Sequence, residues 1–334
     1  MNKFKQKLLD FKLSSKLPFW YILPVVILLT AIIVFATVSF KAGSAADGFG
    51  LGIDFTGGTE MTVMVKDTAE NQQKIKDIVQ NNRENAPKID YVQGVSSGGS
   101  DGIRIKYKNS VEDSTLMKEI NDKIMDDLYA AFGVDSLENT SFVTYSNTSR
   151  TASADLIKKA ALATFISLVL ILLYIIIRFE YLSGIAAIIA LVHDVLIMIC
   201  MTVICRIPVN SSFVAAVITI VAYSINNTIV VFDRVRERKK LYDKKNIVYG
   251  SLADEAIVMT LNRTLFTSAT TLIMVVMLTI LGVASMRNFT LPILFGLLAG
   301  TYSSVFLAAP TWAAMNNGIL KARVRKYAKY KAQK

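Results

Sequence analysis

Histidine and cysteine are nearly missing from this chain of 334 residues, which has one histidine, His193, and two cysteines, Cys200 and Cys205. A lone histidine excludes any metal motif that needs two. The cysteines lack zinc-ligand spacing, so a Cys-rich metal site and a disulfide framework are excluded. Both lie in one apolar block, where buried packing is the expectation. No Gly-rich loop followed by Lys and Ser or Thr occurs, so there is no P-loop for ATP. Charge is sparse as well, at 19% of residues against about 25% in an ordinary soluble domain. The expectation is a chain without metal, cofactor or ATPase motif, and not an enzyme.

What the chain has in excess is apolar residues, 53% of the total. They fall into six blocks of roughly 20 residues, each able to cross a hydrocarbon core of about 30 Å as a helix. This excludes a soluble globular enzyme, and a disordered chain would be poor in apolar residues. The spans read as Pro18–Phe40, Leu156–Ile177, Tyr181–Cys205, Val209–Phe232, Thr264–Val283 and Phe289–Ala314. The first is longer than the apolar core of a signal peptide. Although Lys41 and the small residues Ser44, Ala45 and Ala46 follow it, it reads as an uncleaved anchor.

The net charge of +11 is placed at one side. Residues 1–17 carry five lysines and one acid, segment 233–263 carries eight basic residues, and Gly318–Lys334 carries seven and no acid. The short loops on the other side hold one arginine each, Arg206 and Arg287. Both termini, including the tail 315–334, and the 233–263 loop are therefore expected in the cytoplasm. The basic excess reads as a topology signal and an anionic-lipid contact, not as a nucleic-acid site.

Residues 41–155, with 12 Lys or Arg against 18 Asp or Glu, are then extracytoplasmic and long enough for one small domain. Thr59–Val65, Tyr91–Val95, Ile103–Tyr107 and Ser141–Tyr145 read as strands. Thr68–Asn82 and Val111–Phe132 read as helices, the second with Leu116, Ile120, Ile124 and Leu128 at helical spacing. A turn through Gly98, Gly99 and Gly102 joins the middle strands. The order β-α-β-β-α-β is the ferredoxin-like split βαβ arrangement. The fold class is thus a polytopic α-helical membrane protein with an extracytoplasmic α+β domain between its first two spans.

Polar groups at lipid depth are expensive and point to function. His193 and Asp194 sit near the middle of the third span, and Ser224, Asn226, Asn227 and Thr228 in the fourth. Arg263 opens the fifth, followed by Thr264, Thr267, Ser268, Thr270 and Thr271. Tyr223, Asn226, Asn227 and Val230 share one helical face, and Arg263, Thr267 and Thr270 another. Both faces are expected to point into the bundle. Two readings stay open, hydrogen-bonded glue between helices and ion coupling. Gly296 and Gly300 form a G-x-x-x-G that predicts a close helix contact.

Several longer motifs occur in one order. Gly52-Ile53-Asp54-Phe55-Thr56-Gly57-Gly58 follows the first span, and His193-Asp194 lies in the third. The run from Tyr223 through Asn226, Asn227, Asp233, Arg234 and Arg236 to Glu237 ends the fourth. Asn262-Arg263-Thr264-Leu265 opens the fifth, and Gly300-Thr301-Tyr302-Ser303-Ser304 sits in the sixth. Together they resemble the SecF family of protein-translocase subunits, which in turn resembles half of an RND-type transporter. The resemblance implies pairing with SecD and assistance to the SecY-E-G channel, with a translocating preprotein held outside and the proton (or sodium) motive force as driver. It implies the bacterial-type cytoplasmic membrane.

Residue by residue, Gly52, Gly57 and Gly58 allow a tight turn or hinge where the anchor enters the domain. Asp54 caps or pins that turn. Asp233, Arg234 and Arg236 are either a solvated charge run or a docking point for the cytoplasmic loop. Two departures stand out. The family's Ser-Ile-Asn-Asp-Thr reads Ser224-Ile225-Asn226-Asn227-Thr228 here, and an amide cannot exchange a proton as a carboxylate does. Proton coupling is therefore expected mainly in SecD, with Asp194 and Arg263 as the charged groups left here. The second departure is Tyr145–Leu156, which lacks the family's Val-Gly-Pro-like lead-in to the second span. The alternative reading is an RND-type half-transporter for a small molecule or lipid. A single outside domain and one six-span set argue against it.

Overall fold

The six apolar blocks become six long helices in a computed structural model that describes residues 6, 9–42, 48–81, 88–97, 100–108, 113–135, 141–242, 247–282 and 286–332. Helix α1 is Ile22–Ala42, preceded by a 3-10 turn at Leu13–Lys16 and a short helix at Leu17–Trp20. After a small α+β domain come α4 (Arg150–Arg178), α5 (Tyr181–Ile204), α6 (Ser211–Lys239) and α7 (Tyr249–Leu281). The last span is α8 (Arg287–Ser303), a π-helical turn (Ser304–Ala308) and α9 (Ala309–Ala332).

Several helices outrun their apolar blocks because Arg, Lys, Glu and Leu at the flanks are good helix formers. Most of the expected 233–263 loop is therefore the end of α6 and the start of α7. Arg234 and Glu237, 2.7 Å apart, add an i,i+3 ion pair there. Asn210 starts α6 by accepting the Phe213 amide at 3.1 Å.

The domain between α1 and α4 has the predicted order: β1 (Gly58–Val63), α2 (Ala69–Gln80), β2 (Lys88–Ser97), β3 (Ser100–Lys108), α3 (Ser114–Phe132) and β4 (Val143–Thr148). Its sheet is antiparallel in the order β2-β3-β1-β4, with Met61 opposite Ile105 and Tyr145. Met61, Val63, Ile103, Ile105, Ile120, Ile124 and Leu128 fill the core. Leu116, expected to belong to that stripe, is 44% exposed. It lies in the first turn of α3, beyond the reach of the sheet. Gly98 and Gly99 of the expected turn lie outside the described residues, and Gly102 is in β3 opposite Val95. Thr59, Asn121, Asn147 and Tyr107 form a hydrogen-bonded group in this core, with Tyr107 Oη donating to Asn121 Oδ1 at 2.8 Å and Asn121 Nδ2 to Asn147 Oδ1 at 2.8 Å.

In the bundle, α6 and α8 pack face to face, α5 lies against both, and α1 lies on α5. Helix α4 touches mainly α6 and the turn at Ile53–Thr56, and its apolar length stays exposed. One apolar core, with Leu13, Phe232, Leu252 and Trp312, sits at the face where the described ends of the chain meet. Another, with Met198, Phe213, Ile220 and Leu297, sits nearer the domain. Cys200 is buried, but Cys205, at the end of α5, is exposed, contrary to the packing expected for both.

Candidate functional site within the bundle

The centre of the bundle is built around Asp194. It projects from α5 toward α6 and α8 and is fully buried. Its Oδ1 meets His193 Nδ1 at 2.8 Å. Its Oδ2 accepts hydrogen bonds from Ser224 Oγ of α6 and from Ser303 Oγ of α8, the latter at 2.8 Å. Gly300 makes room for the group, since a Cβ there would stand 3.5 Å from Asp194 Oδ2 and 3.3 Å from the Ser224 Cβ. Gly296, one turn earlier, lets α8 close on α6; a Cβ there would come within 2.5 Å of Ile220 Cγ1. A carboxyl removed from water must have its lone pairs satisfied, and three helices supply the partners.

A buried amide lies one turn further along α6. Asn227 is 3% exposed and donates from Nδ2 to Ser268 Oγ of α7 at 3.3 Å. Tyr223 Oη reaches the Thr267 carbonyl at 3.3 Å. Across this seam, Ser268 is the one member of the threonine and serine stripe whose side chain joins α7 to α6 among the hydrogen bonds of the described residues. Thr267, Thr270 and Thr271 turn back onto carbonyls of their own helix.

Asn226, Arg263, Thr267 and Thr270 do not point into the bundle as expected. All four are exposed on the outside of this chain. Helical geometry explains the correction. Asn227, Thr264 and Ser268 occupy the inward faces, which leaves Asn226, Arg263 and Thr267, one position away, on the outward side. Arg263, at the start of the apolar stretch of α7, is therefore a charge on an outer surface of this chain.

The motif after the first span is docked and not free. Gly52 N donates to the Val209 carbonyl at 2.9 Å, and Val209 N to the Gly50 carbonyl at 2.9 Å. Gly57 (φ 76°) and Gly58 (φ 155°) take backbone angles that L side chains avoid, and a Cβ on Gly58 would stand 2.5 Å from the Tyr107 carbonyl. Asp54 does pin this turn, but across space. Its Oδ2 accepts from Ser211 N (3.1 Å) and Ser211 Oγ (2.6 Å) at the start of α6, and its Oδ1 lies 4.0 Å from Lys106 Nζ of β3. At the opposite end of the bundle Asp233 holds Arg178 at 2.7 Å, Arg234 holds Glu237, and Arg236 is exposed.

The sequence reading did not single out Ser14 and Asp254. Ser14 N and Oγ bind the Asp254 carboxylate at 2.8 and 3.1 Å, which docks the first turn onto α7. The sequence offered no clear signal, since Asp254 is one of five acids in the 233–263 segment and stands beside Glu255. Among the described residues no group of three His, Cys, Asp or Glu side chains comes together as a metal site.

Residues 43–69 match the SecD/SecF GG motif, and residues 130–318 match the family described as protein export membrane protein SecD/SecF, C-terminal. The chain belongs to the SecD/SecF family. It is 33% identical over 263 residues to protein translocase subunit SecF of Sebaldella termitidis, covering 79% of this chain and 81% of that one. The SecF subunits of Rickettsia prowazekii (34% over 263 residues, 78% and 80% covered) and Helicobacter pylori strain 26695 (33% over 261, 78% and 76%) are similar. A crystal structure of SecDF from Thermus thermophilus, described as a translocon-associated membrane protein, superposes with a TM-score of 0.67 at 28% identity. That match covers 91% of this chain and 38% of the solved one. SecDF in its super-membrane-facing form gives 0.59 at 26%, covering 93% and 40%. This SecD/SecF chain thus spans well under half of the solved SecDF chains, and most of a SecF subunit. It is a multi-pass membrane protein of the protein-export class.

Proposed function

We propose that this chain is the SecF-type subunit of the Sec export machinery, acting with SecD to complete preprotein passage through a SecY-E-G channel at the expense of a proton (or sodium) gradient. Its place is the bacterial-type cytoplasmic membrane, with both termini in the cytoplasm and basic flanks on anionic lipid. The observation that carries the pairing is the outward polar seam of α6 and α7, where Asn226, Thr267 and Arg263 are exposed beside the Tyr223–Thr267 contact. An ionised arginine turned toward lipid at the edge of an apolar stretch is costly, though less so than the cost of about 2.5–3.5 kcal/mol at the centre of a span. A second membrane subunit with complementary polar groups removes that cost. The main proton step falls to SecD, because Asn227 is an amide.

The deciding experiment uses inverted membrane vesicles holding a partly translocated preprotein, with and without this chain. Completion of transport on imposing the ion gradient is expected to need it. Equal completion in both cases would remove the proposal. Cysteine crosslinks from positions 226 and 267 to SecD, expected in the assembled pair, test the interface separately.

A further inference from the structure

We infer that the His193–Asp194 pair is a proton-binding site of this chain in its own right, loaded through His193 Nε2 and sensed by Ser303 on α8. The inference deepens the proposed gradient-driven role and rests on it only for its purpose in export.

The geometry is that of a relay. With its carboxylate against Nδ1, Asp194 fixes the hydrogen of a neutral imidazole on Nδ1 and leaves Nε2 as a bare acceptor. Nε2 is buried and has no hydrogen-bond partner. The His193 side chain is only 9% exposed and lines a cavity of about 310 Å³ between α1, α5 and α8. That cavity runs along α5 from His193 past Ile197 to Met201, toward the end of the bundle that carries the outside domain. A buried, unpartnered ring nitrogen is costly unless something visits it.

The proton balance closes. In the unloaded state the pair carries one negative charge. A proton arriving at Nε2 makes the ring cationic, and the Nδ1 hydrogen can then pass to Asp194 Oδ1. The pair has gained one proton and is neutral overall. No Lys, Arg or Glu among the described residues holds the carboxylate in its charged form. The titratable group that faces the pair is Tyr302, whose ring stacks on His193 with centroids 6.1 Å apart, while Tyr223, next to Ser224, turns its hydroxyl to the Thr267 carbonyl of α7. Beyond His193, α5 and α1 present only apolar side chains to the cavity.

Ser303 can read the loading. It donates to Asp194 Oδ2 at 2.8 Å, and the carbonyl of Gly300 lies 3.3 Å from the same hydroxyl as an alternative acceptor. When Asp194 is a carboxylate, the bond across helices is the stronger one, because it is charge-assisted. When the pair is neutral that advantage goes, and the hydroxyl can return to its own helix. The π-helical turn Ser304–Ala308 begins at the next residue, and such turns mark places where a helix changes register. Asn227, further along α6 and held by Ser268 of α7, takes no part.

The test is an infrared pH titration of the SecD-paired, full-length protein in lipid nanodiscs. We expect a protonated-carboxyl band that grows as pH falls, is lost in Asp194→Asn, and is displaced but kept in Asp194→Glu. In His193→Gln the band stays while its titration moves to a different pH. Should Asp194→Asn not assemble, His193→Gln and Ser303→Ala carry the test, the latter shifting the titration midpoint. A band unchanged in Asp194→Asn, or a midpoint unmoved by both other variants, overturns the inference. Gradient-driven completion of export is read in parallel. If wild type shows the boost and an assembled Asp194→Asn keeps all of it, the site has no purpose in the motor, the export role stands, and the titration alone upholds or overturns proton binding. If wild type shows no boost, the export role fails, and the titration still decides whether the pair binds a proton.

Discussion

At the scale of single residues, the amide at Asn227 separates this chain from the family pattern. Its side chain is buried, and its Ser268 partner can accept as well as donate. Asn227→Asp should therefore fold and should change the extent and pH profile of gradient-driven export only slightly. A strong change measured in vesicles would mean that this position still carries the proton step. Tyr145 offers a second test, in the outside domain. Burial, helped by its hydrogen bond to Asp122 at 2.6 Å, pushes the phenol from 10.0 up to about 12. The fold thus holds the proton more tightly than the unfolded chain does. The resulting stabilisation is full below about pH 10 and is lost as pH rises through 12. Thermal melts of wild type and Tyr145→Phe should differ below pH 10 and converge above 12. His193, Asp194 and Asn227 were legible because polar letters are rare inside apolar runs. That Asn226 and Arg263 face outward was not, since helical periodicity gives which residues share a face and not what lies opposite it.

At the scale of elements, the strands and helices of the α+β domain followed from alternation and spacing, because one side of each is buried on a single core. Asn121 and Asn147 did not announce themselves as core residues. A buried polar network depends on partners distant in sequence, here 26 residues apart. In the bundle, Gly296 and Gly300 looked equivalent in sequence but meet different neighbours. Gly296→Ala drives a Cβ into a β-branched side chain, Ile220, and should cost about 1–3 kcal/mol, as overpacking does. Gly300→Ala meets only near-contact distances and should cost clearly less. Unfolding in mild detergent with increasing denaturant ranks the two. The opposite order would mean that α6 and α8 are further apart than described here.

For the whole molecule, the junction between domain and bundle matters most. The Gly-rich motif suggested a free hinge, yet Gly52, Val209, Asp54 and Ser211 tie it to the α5–α6 connection, and Ser153 Oγ reaches the Ile53 carbonyl at 3.3 Å. Domain rotation during export, if it occurs, must break these bonds or carry the start of α6 along. Asp54→Ala should raise amide exchange at Ser211 and neighbouring α6 positions while the domain core at Met61 and Ile105 stays protected. Unchanged exchange at Ser211 would show that the latch does not hold. A disulfide tying domain to bundle should slow export completion if rotation is required, and leave it untouched if it is not. None of these cross-links was legible beforehand, because each pairs segments roughly a hundred or more residues apart.

The π-helical turn has one last consequence. Such a turn amounts to one extra residue in an α-helix, so everything after it is rotated by about 100° relative to an unbroken helix. Gly296, Gly300 and Ser303 keep one phase, against α6 and α5, while Trp312 finds its buried place in another. The last span thus contains two out-of-phase helical patterns, and no single stripe drawn along it describes both. Deleting Val305 should therefore act less like a truncation than like a turned key, swinging Trp312 out of its socket while the glycine face above stays seated.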